Sequence, residues 1–211
     1  MRPEWKQTIR ESIPTEMLMI NPTDISLYCK GWNLFSIADR KEFYVVLFTE
    51  LCRFESGFDP NCTYKEDFND VNGNPVISTG LFQVSVESLA GYKFHTTQEM
   101  LQRPDVNIYA MLRIASHWII KDGCISSNEK PWRGMARYWS PFRSLDRKPK
   151  IMKATLAVNY GGNQMSIYDQ FYAMAKTQMG VHELTGKQHE KKILEYHQAT
   201  SLKSTDDETP W

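Results

Sequence analysis

A glutamate placed where an apolar run breaks off is the first position in this sequence suited to chemistry. Glu55 stands in Phe54-Glu55-Ser56-Gly57-Phe58-Asp59-Pro60, after a stretch from Lys41 to Phe54 that carries Phe43, Val46, Leu47, Cys52 and Phe54 at the spacing of a mostly buried helix. Gly57 and Pro60 stop a helix, so Glu55 falls in its last turn. There a carboxylate meets the negative end of the helix dipole, and cover from Phe54 and Phe58 further disfavours its charge. Both effects raise its pKa. A carboxyl group that keeps its proton near neutral pH is what a general acid needs. A glutamate near a helix end is ordinarily only a solvated surface group, so the assignment depends on what the rest of the chain brings to it.

The elements that must position it are partly legible. Ser36 precedes Ile37-Ala38-Asp39, an S-x-x-D pattern whose hydroxyl and carboxylate can satisfy the free N–H groups of a helix start. A helix from about Ile37 to Phe54 therefore delivers Glu55. From Pro60 to Thr79 the chain turns polar; Asn72-Gly73 is a favoured tight-turn pair and Val76-Ile77 suits a short strand, which predicts a small β-hairpin or loop directly after the glutamate. Ser85 is placed to cap a helix at Val86-Glu87-Ser88. Pro104 then opens the clearest helix, with Ile108, Met111, Leu112, Ala115 and Ile119 at helical spacing until Gly123. The stretch from Trp132 to Arg143 is dense in aromatic residues and arginines and is broken by Pro141. Two more helices are predicted, at about Lys150–Asn159 and Met165–Met179, joined by Tyr160-Gly161-Gly162-Asn163. Residues 1–35 read as an N-terminal arm, 36–182 as the main domain, and 183–211 as a helical segment with an acidic, frayed tail.

Composition narrows the classes. With 211 residues the chain can bury a real core without metal or disulfide staples. Its 25 basic and 25 acidic residues cancel, so it has no electrostatic footprint for nucleic acid or an anionic membrane. No apolar run is long enough for a membrane span, and the N-terminus lacks the apolar core of a signal peptide. Cys29, Cys52, Cys62 and Cys124 show no C-x-x-C pairing, which argues against zinc. Disulfides and buried free thiols both stay open. The six Trp and ten Tyr suit packing first and stacking on sugar rings second.

Four pieces in order raise the weight on Glu55: Glu55-Ser56-Gly57-Phe58-Asp59-Pro60; Ser78-Thr79-Gly80-Leu81-Phe82-Gln83-Val84; Pro104-Asp105-Val106-Asn107-Ile108; and Ala136-Arg137-Tyr138-Trp139. Their succession over about residues 36–145 resembles the lysozyme-like lytic transglycosylases and goose-type lysozymes that cleave peptidoglycan. The family pattern is E-S-x-F-x-P, then G-L-M-Q-V/I, an N-I helix start, and A-x-Y-N-x-G. The resemblance implies a mainly α, α+β lysozyme-like fold, a helical domain with a small β-hairpin beside the cleft. It implies Glu55 as catalytic acid, with Ser78, Gly80, Phe82 and Gln83 in the segment that lines the sugar groove. Tyr138 matches the tyrosine whose hydroxyl reaches the glutamate, although Trp139-Ser140-Pro141 replaces the usual N-x-G; Tyr160 is the second choice for that role.

The implied reaction breaks the β-1,4 bond between N-acetylmuramic acid and N-acetylglucosamine, with neither metal nor cofactor. A proton goes to the leaving oxygen while oxocarbenium-like charge develops on the sugar. A second carboxylate across the cleft would position water for hydrolysis; without one, the 6-hydroxyl can close a 1,6-anhydro ring. Glu66, Asp67 and Asp70 are the candidates, and Asp70 is preferred for its place at the hairpin turn. The expected partner is the glycan strand of peptidoglycan, met by a monomer in the periplasm or outside the cell. A silent glycan-binding module with a lysozyme fold, or an enzyme for another glycan such as chitin, are the alternatives.

Overall fold

The structure, a computed structural model, describes residues 1–158. All of these fall in one compact unit, Met1–Ile167. The predicted helix at Met165–Met179, the turn at Tyr160-Gly161-Gly162-Asn163 and the 183–211 segment lie outside the described residues.

The chain opens with α1 (Pro3–Ser12), which has proline at its first position and Glu4 in its first turn, and continues past Pro14 into α2 (Thr15–Met19). Trp5, Ile9, Met17 and Leu18 are buried, and the two helices pack on the two long helices that follow. The first 35 residues are thus built into the shared core. The first long helix, α3 (Ile37–Glu55), begins in a full capping box: the Asp39 N–H donates to Ser36 Oγ and the Ser36 N–H to Asp39 Oδ2, both at 3.0 Å. Phe43, Tyr44, Leu47, Phe48, Leu51 and Cys52 are wholly buried along it. Each apolar side chain so covered stabilises the fold by about 1.5–3 kcal/mol before entropy is counted. Arg40 is buried too, with its guanidinium 4.5 Å from the Trp32 ring and donating to the carbonyls of Leu18 and Trp32.

A hairpin follows, β1 (Thr63–Asn69) and β2 (Pro75–Thr79), turning through Asn72-Gly73 as expected. β1 is longer than its polar composition suggests, because every residue but Glu66 is exposed and no alternation marks it. Two short helices, α4 (Val86–Ala90) and α5 (Gln98–Leu101), lead to the second long one, α6 (Pro104–Asp122), which closes on Gly123 at φ 63°. Ile108, Met111, Ala115 and Ile119 face the core, as their spacing requires. A two-residue pair, β3 (Ser126–Ser127) with β4 (Arg133–Gly134), and short helical turns at Met135–Arg137 and Ser140–Phe142 precede α7 (Arg147–Leu156). α7 begins three residues before the predicted Lys150 and packs on α3. Among the described residues the architecture is mainly helical with two small antiparallel sheets. All four cysteines are free thiols. No helix among the described residues is long and apolar enough to cross a membrane.

Candidate active site

Glu55 is the last residue of α3, where the chain leaves the core. The next residue ties this end down: the Ser56 hydroxyl is 2.8 Å from the Leu81 carbonyl and 3.3 Å from that of Cys52. The acid is thereby locked to the Gly80–Gln83 segment. Burial pushes the Glu55 pKa up to about 7; Glu66 adds to the rise, while Arg147 and Arg143 oppose it. A carboxyl group in this range is protonated often enough at neutral pH to donate and acidic enough to let go.

The segment from Ser78 to Gln83 is a tightly bonded support. Gly80 has φ 81°, and a Cβ there would stand 2.4 Å from both Asn107 Nδ2 and the Leu101 carbonyl, so only glycine fits. Asn107, wholly buried in the first turn of α6, accepts from the Phe82 N–H at 2.8 Å and donates to the carbonyls of Thr79 and Leu101, each at 2.9 Å. Gln83 has φ 47°, an unusual conformation for a side-chain residue. Its Nε2 holds the turn by donating to Gly80 O at 2.8 Å and Cys62 O at 3.0 Å. Phe82 is fully buried and its carbonyl accepts from Trp139 Nε1 at 2.9 Å. Phe82 and the Gln83 amide nitrogen therefore build the wall behind the site and are not free to meet a sugar.

Tyr138 also departs from expectation. Its hydroxyl accepts from the Ser85 N–H at 3.3 Å and lies among Ser85 and Ser88, so it closes the start of α4 and is not engaged with Glu55. The N–H groups at a helix start have no internal partner, and the phenol satisfies one of them. Tyr160, the second choice, lies outside the described residues.

Of the acids in the loop after Glu55, Glu66 and not Asp70 is the one whose charge acts on it. Asp70 is fully exposed at the hairpin tip, where Oδ1 accepts from the N–H groups of Asn72 at 2.8 Å and Asn74 at 2.7 Å; these bonds hold its pKa below the usual range. It is the turn's own closing group. Glu66 is the half-buried residue of β1 and the carboxylate whose charge acts on Glu55. The register explains its placement. From Lys65 to Asn69 β1 advances four residues while β2 advances two, from Ile77 to Pro75, and Glu66 lies in that bulge. Bulges re-aim side chains beside active sites. The Ser78 hydroxyl from β2 donates to Glu66 Oε1, so Ser78 serves the site by orienting the carboxylate.

Two cations complete the electrostatics. Arg143, directly after the Ser140–Phe142 turn, and Arg147, the first residue of α7, both act on Glu55, and Arg143 acts on Glu66 as well. The Arg143 guanidinium lies 4.3 Å from the centre of the Trp132 ring. These arginines stand some ninety residues from Glu55; the aromatic, arginine-rich composition of residues 132–143 points to Arg143, and no sequence signal points to Arg147. Asn107, visible as part of the N-I helix start, was the other missed support. No cluster of three or more His, Cys, Asp or Glu side chains able to hold a metal ion occurs among the described residues.

No family model and no curated protein matches the chain. Solved structures do. Wild-type Bd0314 DslA, a Bdellovibrio protein, superposes with a TM-score of 0.71 at 33% identity over 74% of this chain and 90% of its own. The chain belongs to the DslA family. Two further DslA structures, each with a single glutamate-to-glutamine substitution, match at 32% identity over the same shares, with TM-scores of 0.70 and 0.71. The substituted DslA glutamates are eleven residues apart in that chain.

Proposed function

We propose that this protein is a glycosidase that cleaves peptidoglycan at the β-1,4 bond between N-acetylmuramic acid and N-acetylglucosamine. One observation carries the reading: the Glu55 carboxyl, its pKa raised to about 7 by burial at the end of a rigid helix, with Glu66 acting on it from the hairpin. Glu55 gives its proton to the leaving oxygen. Glu66, oriented by Ser78, stabilises the positive charge on the sugar and takes a proton from the water that attacks the anomeric carbon. The bond to the leaving oxygen breaks as the bond to water forms, and solvent then resets both carboxyl groups. Glu55 and Glu66 are eleven residues apart, the same separation as the two glutamates replaced in the DslA structures, which supports their pairing. The ordered motifs from Glu55 to Tyr138 support the substrate. Such a substrate places the protein in the periplasm or outside the cell, acting as a monomer.

Mass spectrometry of fragments released from purified sacculi tests the proposal. Reducing ends are expected. Ends closed as 1,6-anhydro rings would overturn the hydrolytic route in favour of transglycosylation. Release of no fragments would leave a glycan-binding module, and preferential cleavage of chitin would overturn the substrate. Glu55→Gln is expected to abolish release while leaving sacculus binding intact.

A further inference from the structure

The chain as a whole is neutral, yet residues 130–153 hold eight lysines and arginines against the single acid Asp146. Two of these eight, Arg143 and Arg147, are carried by the Ser140–Phe142 turn and by α7, both of which pack on α3, the helix that ends in Glu55. Their backbones are fixed: the Arg143 N–H donates to the Ser140 carbonyl at 2.9 Å and the Arg147 N–H to Ser144 Oγ at 3.1 Å. The Trp132 ring, 4.3 Å away, holds the Arg143 guanidinium by a cation–π contact. Elsewhere arginines are spent on ion pairs, as in Arg10 with Glu42, Arg103 with Asp105 and Arg137 with Asp122. Among the described residues, neither the Arg143 nor the Arg147 guanidinium has a hydrogen bond or ion pair. When Glu55 carries the proton it must donate, Glu66 alone stands against two guanidiniums, leaving one positive charge in excess. That surplus exists in the form of the site that is ready to react.

We propose that Arg143 and Arg147 form a subsite for a carboxylate carried on the glycan's substituent beside the scissile bond. This deepens the reading above and rests on it. The planar fork of N–H donors on a guanidinium matches a carboxylate, and such charge-assisted bonds strengthen where water is partly excluded. A muramic acid residue offers that group in two forms. In peptide-free strands its lactyl ether ends in a free carboxylate, and in peptide-bearing strands the carboxylates sit on the stem peptide. Chitin carries neither.

Because both arginines also act on Glu55, binding is measured in the full chain carrying Glu55→Gln, where no proton transfer can confuse the result. The probes are peptide-free glycan strands, the same strands with their carboxylates converted to amides, and peptide-bearing strands. The Glu55→Gln parent is expected to bind carboxylate strands at least about tenfold more tightly than amidated ones. Adding Arg147→Gln and Arg143→Gln should erase that preference, and Arg147→Lys should restore part of it. A preference for peptide-free over amidated strands assigns the carboxylate to the lactyl group; one seen only with peptide-bearing strands assigns it to the peptide. Equal affinity of the parent for amidated and both carboxylate-bearing strands, or a preference that survives loss of both arginines, overturns the subsite. Failure of the wild-type protein to release fragments from sacculi overturns the function itself, whatever the arginine variants do.

Discussion

Glu55→Gln should make the protein more stable at alkaline pH while destroying its activity, and the size of the gain follows from the site. In the unfolded chain the carboxyl titrates at its ordinary 4.5, and in the folded protein burial raises this to about 7. Between these values the unfolded chain has released the proton that the folded protein still holds. Stability therefore falls as pH rises through the window: the cost is absent below about pH 4.5 and complete above about pH 7. At about 1.36 kcal/mol per pH unit the penalty comes to about 3 kcal/mol, and partial exposure of the side chain reduces it to about 2–3 kcal/mol. For a chain of this length that corresponds to roughly 5–10 °C in melting temperature. The measurement is urea unfolding of both proteins at about pH 4.5 and pH 8. Other titrations are common to the two and cancel in the difference. The glutamine variant should gain about 2–3 kcal/mol on the wild type between the two pH values. Stability curves that run parallel across the window would refute burial as the cause of the raised pKa, and with it the physical basis of the acid role.

The same charges predict opposite movements of the alkaline limb of the pH–rate profile, which falls as Glu55 loses its proton. Arg147→Gln removes the largest opposing influence on Glu55 and should move that limb to higher pH. Glu66→Gln removes a neighbouring negative charge, so in whatever activity remains the limb should move to lower pH. Asn107→Leu leaves the buried Phe82 N–H and two carbonyls without their partner and should cost about 3 kcal/mol or more, read by urea unfolding. Gly80→Ala should be at least as damaging, because its methyl group would meet the Leu101 carbonyl and Asn107. Asp70→Asn should release fragments from sacculi at the wild-type rate, since this carboxylate closes its own turn.

Features set by neighbours in sequence were legible. The Ser36–Asp39 box, the apolar spacing of α3 and α6, the Gly123 stop and the Asn72-Gly73 turn each need only a few consecutive residues, and the structure has all of them. The Asn72-Gly73 turn marks the hairpin but not the extent of β1, because the apolar residues of Thr63–Asn69, Tyr64 and Phe68, stay exposed and the segment is held as a strand by its pairing with β2. Its place beside the turn is what recommends Asp70 in the sequence. That position is the reason it is unavailable, since an aspartate before Asn-x-Asn readily turns its carboxylate onto the following N–H groups. Motif order points to Tyr138, but the partner of its hydroxyl depends on where the start of α4 comes to rest.

By itself the sequence determined that a glutamate ends a buried helix, and a helix end with apolar neighbours is enough to raise its pKa. Tertiary structure alone decided what that glutamate faces. A bulge in β1 brings Glu66 to it, and the packing of the Ser140–Phe142 turn and of α7 on α3 brings Arg143 and Arg147 from some ninety residues downstream. Charge acts through space over a few ångströms, and the contacts that set those distances are made between segments whose separation along the chain carries no record of them.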